Sequence, residues 1–187
     1  MRYGFPILIL ALILAGTGGP AQGGQERNYT LPAGIESLVP IKPPIPAPDT
    51  SFNDPAGGPI TLKRFQGRTV VLNFWATWCA PCLKEMPALN RLQEQLGKNG
   101  VEVVTVAEDT NGLAVVKPFL ARQEYKQLKA YTDPSGKLAR AFGVRGLPTT
   151  VLIDPQGLAV GAIEGPVEWD SPQAIKIIQQ AMGGKGL

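Results

Sequence analysis

The chain of 187 residues contains only two cysteines, and they stand together as Cys79-Ala80-Pro81-Cys82. Their chemistry depends on the backbone that carries them. The apolar run Val70-Val71-Leu72-Asn73-Phe74-Trp75-Ala76 directly precedes the pair. It reads as a buried strand that delivers Cys79 to the start of a helix. A helix N-terminus presents unpaired N–H groups and partial positive charge, and both stabilise a thiolate. The thiolate is the reactive form of cysteine. Two intervening residues let the second sulfur turn back on a mixed disulfide formed by the first. Cys79 is therefore the predicted nucleophile and the more exposed sulfur, and Cys82 the predicted resolving thiol. Ala80 and Pro81 tune the pair, and Pro81 removes one N–H donor that would otherwise face the sulfurs.

Other uses of the pair meet physical objections. A structural zinc needs about four ligands, chiefly Cys and His, and the chain has no histidine and no third cysteine. The absent histidine also removes a c-type haem site. A purely structural disulfide across so short a loop stabilises little. No metal and no cofactor beyond the redox-active pair is expected.

The segment Phe74-Trp75-Ala76-Thr77-Trp78-Cys79-Ala80-Pro81-Cys82, with Pro87 after it, is joined later by Gly146-Leu147-Pro148-Thr149-Thr150 and Val151-Leu152-Ile153-Asp154. Together these resemble the thioredoxin superfamily, and within it the membrane-associated TlpA and ResA group. Gly165-Pro166-Val167-Glu168-Trp169 is most similar to TlpA proteins. The resemblance covers about residues 49 to 183 and implies a thioredoxin-like α/β fold. It implies a cis-proline at Pro148 packed against the disulfide. Leu147 beside it would pair its backbone with an extended substrate peptide by edge-strand addition. Gly146 and Thr149 shape that loop, and Trp78 flanks the site and shapes docking.

Glu85 lies three residues past Cys82 and so shares a helix face with it. In ResA-like proteins a glutamate at this position affects thiol acidity and proton transfer. A carboxylate there disfavours thiolate and can accept a proton from the resolving thiol. A solvated surface glutamate is the other reading. Asn73 departs from thioredoxin itself, which has a buried aspartate six residues before the nucleophile. Asparagine cannot titrate, which adds weight to Glu85. Glu108 and Asp109 close the next strand and read as surface loop residues.

The resemblance implies an exported thiol–disulfide oxidoreductase that reduces disulfides of periplasmic client proteins. The clients would be apocytochrome c or copper-site proteins of cytochrome oxidase assembly, with the copper branch favoured by the TlpA-like segment. A membrane thiol transporter of the DsbD or CcdA kind would reduce it again. Two rivals remain. One is the same fold acting as an oxidant, although strong oxidants usually have a histidine between the cysteines. The other is a Cu(I)-binding chaperone, since two thiolates can hold that ion. A peroxidase pattern, Pro-x-x-x-Thr-x-x-Cys, is incomplete here.

The N-terminus predicts export. Arg2 is followed by no charge until Glu26, and Ile7 to Ala15 is continuously apolar. Residues 1–21 fit a signal peptide or an uncleaved inner-membrane anchor near the lower length limit for a span. Arg2 favours a cytoplasmic start, which places the domain across the membrane, and the resemblance implies the periplasm or the periplasmic face of the inner membrane of a Gram-negative bacterium. Residues 22–48 read as a tether. Five prolines between Pro40 and Pro48 favour extended, semi-rigid geometry. Alternatively, Ile41 and Ile45 dock part of it along the domain as a strap.

Residues 49–187 are one domain's worth of chain. The whole chain carries 18 Lys and Arg against 15 Asp and Glu, a net charge of +3. No basic run points to nucleic acid, and no phosphate loop or dinucleotide fingerprint is present, so electrons are expected from another protein's thiols. The elements needed to position the cysteines follow from pattern. A hairpin forms across Pro55-Ala56-Gly57-Gly58-Pro59, a strand over 70–75, and a helix over about 80–97 that Pro87 should bend. Next come a strand over 101–107, an inserted helix over 112–123, a short strand over 129–132 and a short helix over 136–142. A hairpin over 149–154 and 158–163 turns at Pro155-Gln156-Gly157. The last helix has Ser171 as N-cap and Pro172 at its first position. The sum is a mixed central sheet flanked by helices.

Overall fold

The computed structural model describes residues 34–184 and 187. The expected leader at 1–21 and the first part of the expected tether lie outside the described residues. Among the described residues no helix is long and apolar enough to cross a membrane.

The sheet is built on β4 (Thr69–Trp75), every residue of which is buried. Alternate side chains of a strand point to opposite faces, and β4 is apolar on both. Val70, Leu72 and Phe74 join one core cluster, and Val71 and Trp75 join the other. β4 therefore needs a layer on each side. It pairs in parallel with β5 (Val101–Ala107) and antiparallel with β7 (Thr149–Ile153). β7 turns back into β8 (Leu158–Glu164). Asp154 makes that turn: its Oδ1 accepts the N–H groups of Gln156 at 3.0 Å and Leu158 at 2.9 Å, and Gly157 takes φ 85°. β6 (Tyr131–Thr132) extends the other edge and carries the hairpin of β2 (Phe52–Asn53) and β3 (Pro59–Ile60). Tyr131 starts this strand later than the sequence pattern implies, because its N–H bonds back to the Lys129 carbonyl at 3.0 Å.

β1 (Val39–Pro46) forms the far edge, so the sheet order is β1-β8-β7-β4-β5-β6-β2-β3. For residues 39–46 this corrects the tether reading, and it sets the first strand of the sheet ahead of residue 49. The strap alternative describes residues 39–46: they pair antiparallel with β8 through Val39 with Ala162 and Pro40 with Gly161, then Ile45 with Ala159 and Pro46 with Leu158. The register breaks between Pro40 and Ile45, and the Lys42–Pro43 bond is cis. Prolines lack an N–H and are tolerated on an edge strand. Ile41 packs on the core, whereas Ile45 is exposed.

Among the described residues four α-helices flank the sheet: α1 (Ala80–Leu96), α2 (Leu113–Arg122), α3 (Lys137–Ala141) and α4 (Pro172–Met182). On α1, Cys82, Met86, Leu89, Leu92 and Leu96 are buried at helical spacing. They fill one cluster with Val71, Trp75, Trp169 and Ile178. Pro87 lies inside α1 and does not end it. Ser171 caps α4 as its side chain accepts the Ala174 N–H at 3.2 Å.

Candidate active site

β4 and α1 meet at the cysteines. After Trp75 the chain leaves the sheet, and Asp109 fixes the bridging loop: its carboxylate accepts the Thr77 N–H at 3.0 Å and the Thr77 hydroxyl. Cys79 then becomes the N-cap of α1, and Sγ accepts the Cys82 N–H at 3.3 Å. An N-cap acceptor takes one of the orphan N–H groups of the first turn. On reduction the same donor faces the Cys79 thiolate. Cys79 and Cys82 are joined as a disulfide. Cys79 is 5% exposed and Cys82 0%, so the expected order of access is present but narrow. Ala80 and Pro81, both exposed, occupy the first helical positions.

An open groove of about 590 Å³ runs past Cys79. Trp78, Ala80, Pro81, Gly146, Leu147 and Glu108 are among its lining residues. Trp78 is 71% exposed, an unusual position for so large an apolar ring. Opposite it, the Leu147–Pro148 bond is cis. Thr149 shapes that loop by donating its hydroxyl to the Gly146 carbonyl at 2.7 Å, and the Pro148 carbonyl accepts the Gly165 N–H at 2.9 Å. The predicted residues Cys79, Trp78, Ala80, Pro81, Gly146 and Leu147 are thus gathered on one groove.

Glu85 is not a surface residue. It is 2% exposed and faces the core on the side of α1 that carries Cys82. Its Oε1 accepts the Asn73 amide at 2.7 Å. Its Oε2 accepts the Val167 N–H at 2.9 Å and the Trp169 indole N–H at 3.0 Å. Burial raises its carboxyl, and the Val167, Asn73 and Trp169 donors pull back only part of the way, so it titrates at about 7. A buried carboxyl that titrates near neutral pH can both accept and return a proton.

Three partners of the site were not predicted. Trp169 and Val167 lie in the segment quoted for its TlpA likeness, but nothing local tells that it folds onto Glu85. Thr150 anchors Asn73, whose amide donates to its hydroxyl at 2.9 Å. The reading of Glu108 and Asp109 as surface loop residues is corrected. Asp109 is 5% exposed, because its carboxylate must reach inward to hold Thr77. Glu108 is half-buried on the groove, and burial, then the Asp133 charge, raise its carboxyl against the pull of Arg140.

Among the described residues, no group of three or more His, Cys, Asp or Glu is placed to hold a metal ion. The arrangement supports thiol–disulfide exchange: a sulfur at a helix N-terminus, a second sulfur within disulfide reach, a groove beside them and a titrating carboxyl behind.

Comparison with known proteins agrees. The profile of the AhpC/TSA family matches residues 45–160. The thiol-disulfide oxidoreductase ResA of Bacillus thuringiensis subsp. konkukian is 40% identical over 160 residues, covering 84% of this chain and 86% of the relative. The protein of that name from Bacillus cereus is 36% identical over the same shares. The crystal structure of the exposed lipoprotein thioredoxin of Streptococcus pneumoniae superposes with a TM-score of 0.61 at 30% identity, covering 71% of this chain and 99% of that one. The strand–Cys-x-x-Cys–helix unit, the cis-proline loop and these likenesses converge: the chain belongs to the AhpC/TSA family and, within it, to the ResA-like thiol–disulfide oxidoreductases of thioredoxin fold.

Proposed function

We propose that the protein works outside the cytoplasmic membrane as a reductase of client disulfides, with Glu85 taking the proton that Cys82 must lose. The observation that carries this reading is the placing of a buried, neutral-range carboxyl on the Cys82 side of α1, next to a cysteine pair that opens on a groove. In the first step the Cys79 thiolate attacks a client disulfide. A Cys79–client disulfide forms, and one client sulfur leaves as thiolate. Cys82 then gives its proton to Glu85, and its thiolate attacks Cys79 Sγ. The Cys79–Cys82 disulfide forms, and the second client thiolate leaves. Two electrons pass from the enzyme dithiol to the client. A further dithiol protein, of the DsbD or CcdA kind, must supply two electrons to restore the enzyme.

The exposed Trp78 and the Leu147 backbone support docking of an extended client segment by strand addition. The uncharged, apolar N-terminal stretch supports export, through a cleaved signal or a retained anchor. Clients are proteins whose own cysteine pair must be reduced before it takes haem or copper: apocytochrome c or copper-site proteins of cytochrome oxidase assembly. Deleting the gene tests this. The expected result is loss of c-type cytochrome or oxidase activity that an exogenous thiol reductant restores. If exported proteins instead accumulate with unformed disulfides, and an added oxidant restores them, the protein is an oxidant and the reductase reading fails.

A further inference from the structure

We infer that Asn73 is a positioning residue whose side-chain amide turns over to serve Glu85 in both its charged and its neutral form, with Thr150 as the reversible anchor. The inference rests on the reading of Glu85 as the proton acceptor of the exchange reaction.

One buried polar atom beside Glu85 has no partner. Asn73 is fully buried, and its Nδ2 donates to Glu85 Oε1 at 2.7 Å and to Thr150 Oγ1 at 2.9 Å. Its Oδ1 is buried without any hydrogen bond. Buried acceptors are nearly always satisfied, and an orphan calls for an explanation. The geometry suits a charged Glu85, with three N–H donors on two acceptor-only oxygens. It does not suit a protonated one. Oε2 already accepts from Val167 and Trp169, so the proton belongs on Oε1. An O–H there points at another donor, the Asn73 Nδ2. A half-turn about the terminal torsion of Asn73 removes the conflict, and that torsion is broadly two-fold. Oδ1 then takes the place of Nδ2, and Nδ2 moves to the position where Oδ1 had no partner. Oδ1 accepts from Glu85 Oε1–H and from the Thr150 hydroxyl, which changes from acceptor to donor.

The position of Thr150 supports this. It lies directly across from Asn73 in the β4–β7 register, and among the described residues Asn73 is the partner of its hydroxyl. A hydroxyl can reverse its role, whereas a lysine or a carboxylate cannot. The residue type at 73 matters equally. An aspartate there would set two buried carboxyls 2.7 Å apart, and like charges at that distance cannot both ionise. An asparagine removes the competition and still takes part in both states.

Few other charges bear on this switch. β4 brings Asn73 to this face between the apolar Val71 and Trp75, and β7 brings the neutral Thr150. On α1 the nearest charged neighbours are the exposed Lys84 and Arg91, the latter paired with Asp170 at 2.6 Å. The loop ahead of α4 adds Glu168, which is exposed. The causes of the raised Glu85 carboxyl are burial and three hydrogen bonds, with no charged neighbour among them.

The experiment is an NMR titration of the full-length oxidised protein from about pH 5 to 9. It follows the Glu85 carboxyl carbon and the Asn73 side-chain amide together. Both signals are expected to move with one midpoint. Asn73→Leu removes the bond to the charged form and the weaker bond to the neutral form, and the difference corresponds to about half to one pH unit, so the Glu85 midpoint should rise by that amount. Thr150→Val should raise it less. An Asn73 amide that stays flat while Glu85 titrates overturns the inference. So does a variant that loses stability but keeps the wild-type midpoint. If Asn73→Leu does not fold, the wild-type amide titration decides alone. The two readings fail differently. If Asn73→Leu moves the Glu85 midpoint but the pH profile of disulfide exchange stays in place, the coupling holds and the proton-acceptor role of Glu85 falls. If Glu85→Gln abolishes the pH profile while Asn73→Leu leaves both midpoints alone, the Glu85 role holds and this inference falls.

Discussion

Replacing Glu85 by glutamine should slow resolution of the mixed disulfide about 100-fold at pH 7.5, the scale of a lost general base, and should stabilise the oxidised protein at the same pH. The two effects have one cause. The Glu85 carboxyl is raised by burial from 4.5 to about 7. Between those values the unfolded chain has lost the proton and the folded chain still holds it. Folding therefore takes up a proton, and stability falls as pH rises from about 4.5 to about 7. Below that window the group costs nothing, and above it the full cost remains, on the order of 3 kcal/mol. Glutamine removes this titration, so the variant's unfolding free energy should decline less across this window than that of wild type. The introduced side-chain amide would set an N–H against one of the three donors now facing Glu85, which offsets part of the gain. Urea melts at pH 5 and pH 8 read the stability difference, and stopped-flow exchange with a model disulfide reads the rate. Equal pH slopes in the two proteins would rule out a raised Glu85.

Cys79→Ser and Cys82→Ser are expected to fail in different ways. Cys79 sits at the helix cap with the Cys82 N–H aimed at its sulfur. Serine there removes the attacking thiolate, and exchange should fall about a thousand-fold or more, since a hydroxyl at its ordinary acidity is a poor nucleophile. Cys82→Ser keeps the attacking sulfur and loses the second step. A Cys79–client disulfide should then accumulate in a one-to-one burst with no turnover beyond it. Mass spectrometry under non-reducing conditions counts the adduct. An adduct on Cys82 in the Cys79→Ser protein, formed at a similar rate, would reverse the assigned roles.

Much of this is legible in sequence where the signal is local. The apolar run of β4 needs both faces buried, so its place at the sheet centre follows from composition. Ser171-Pro172 announces the start of α4, because an N-cap acceptor and a preset φ are both local requirements. The cysteine pair carries its chemistry in its spacing and in the strand ahead of it. The groove residues Trp78, Gly146 and Leu147 come from the resemblance, and no short-range pattern alone joins position 78 to position 147.

Other features lie beyond local reading. The proline-rich segment at 39–46 suggests an extended tether because polyproline and β backbones occupy neighbouring dihedral regions. Whether such a segment floats or pairs depends on β8, which is far away in the chain. The buried state of Glu85 depends on Val167 and Trp169, 82 and 84 residues later in the chain. Helical spacing places Glu85 near Cys82, but only tertiary packing can tell a solvated glutamate from a core one. Asp109 escapes local reading for a similar reason. A carboxylate after a strand is usually solvated, and its pairing with Thr77 across the loop leaves no local mark.

The most direct test of the reductase role is the reduction potential of the Cys79–Cys82 pair, measured in the full-length protein by equilibration in dithiothreitol buffers. A reductase of client disulfides should have a potential near or below about −220 mV, toward the thioredoxin end of the range. A value near about −120 mV, as in the strong oxidants, would contradict that role and make disulfide formation the protein's reaction.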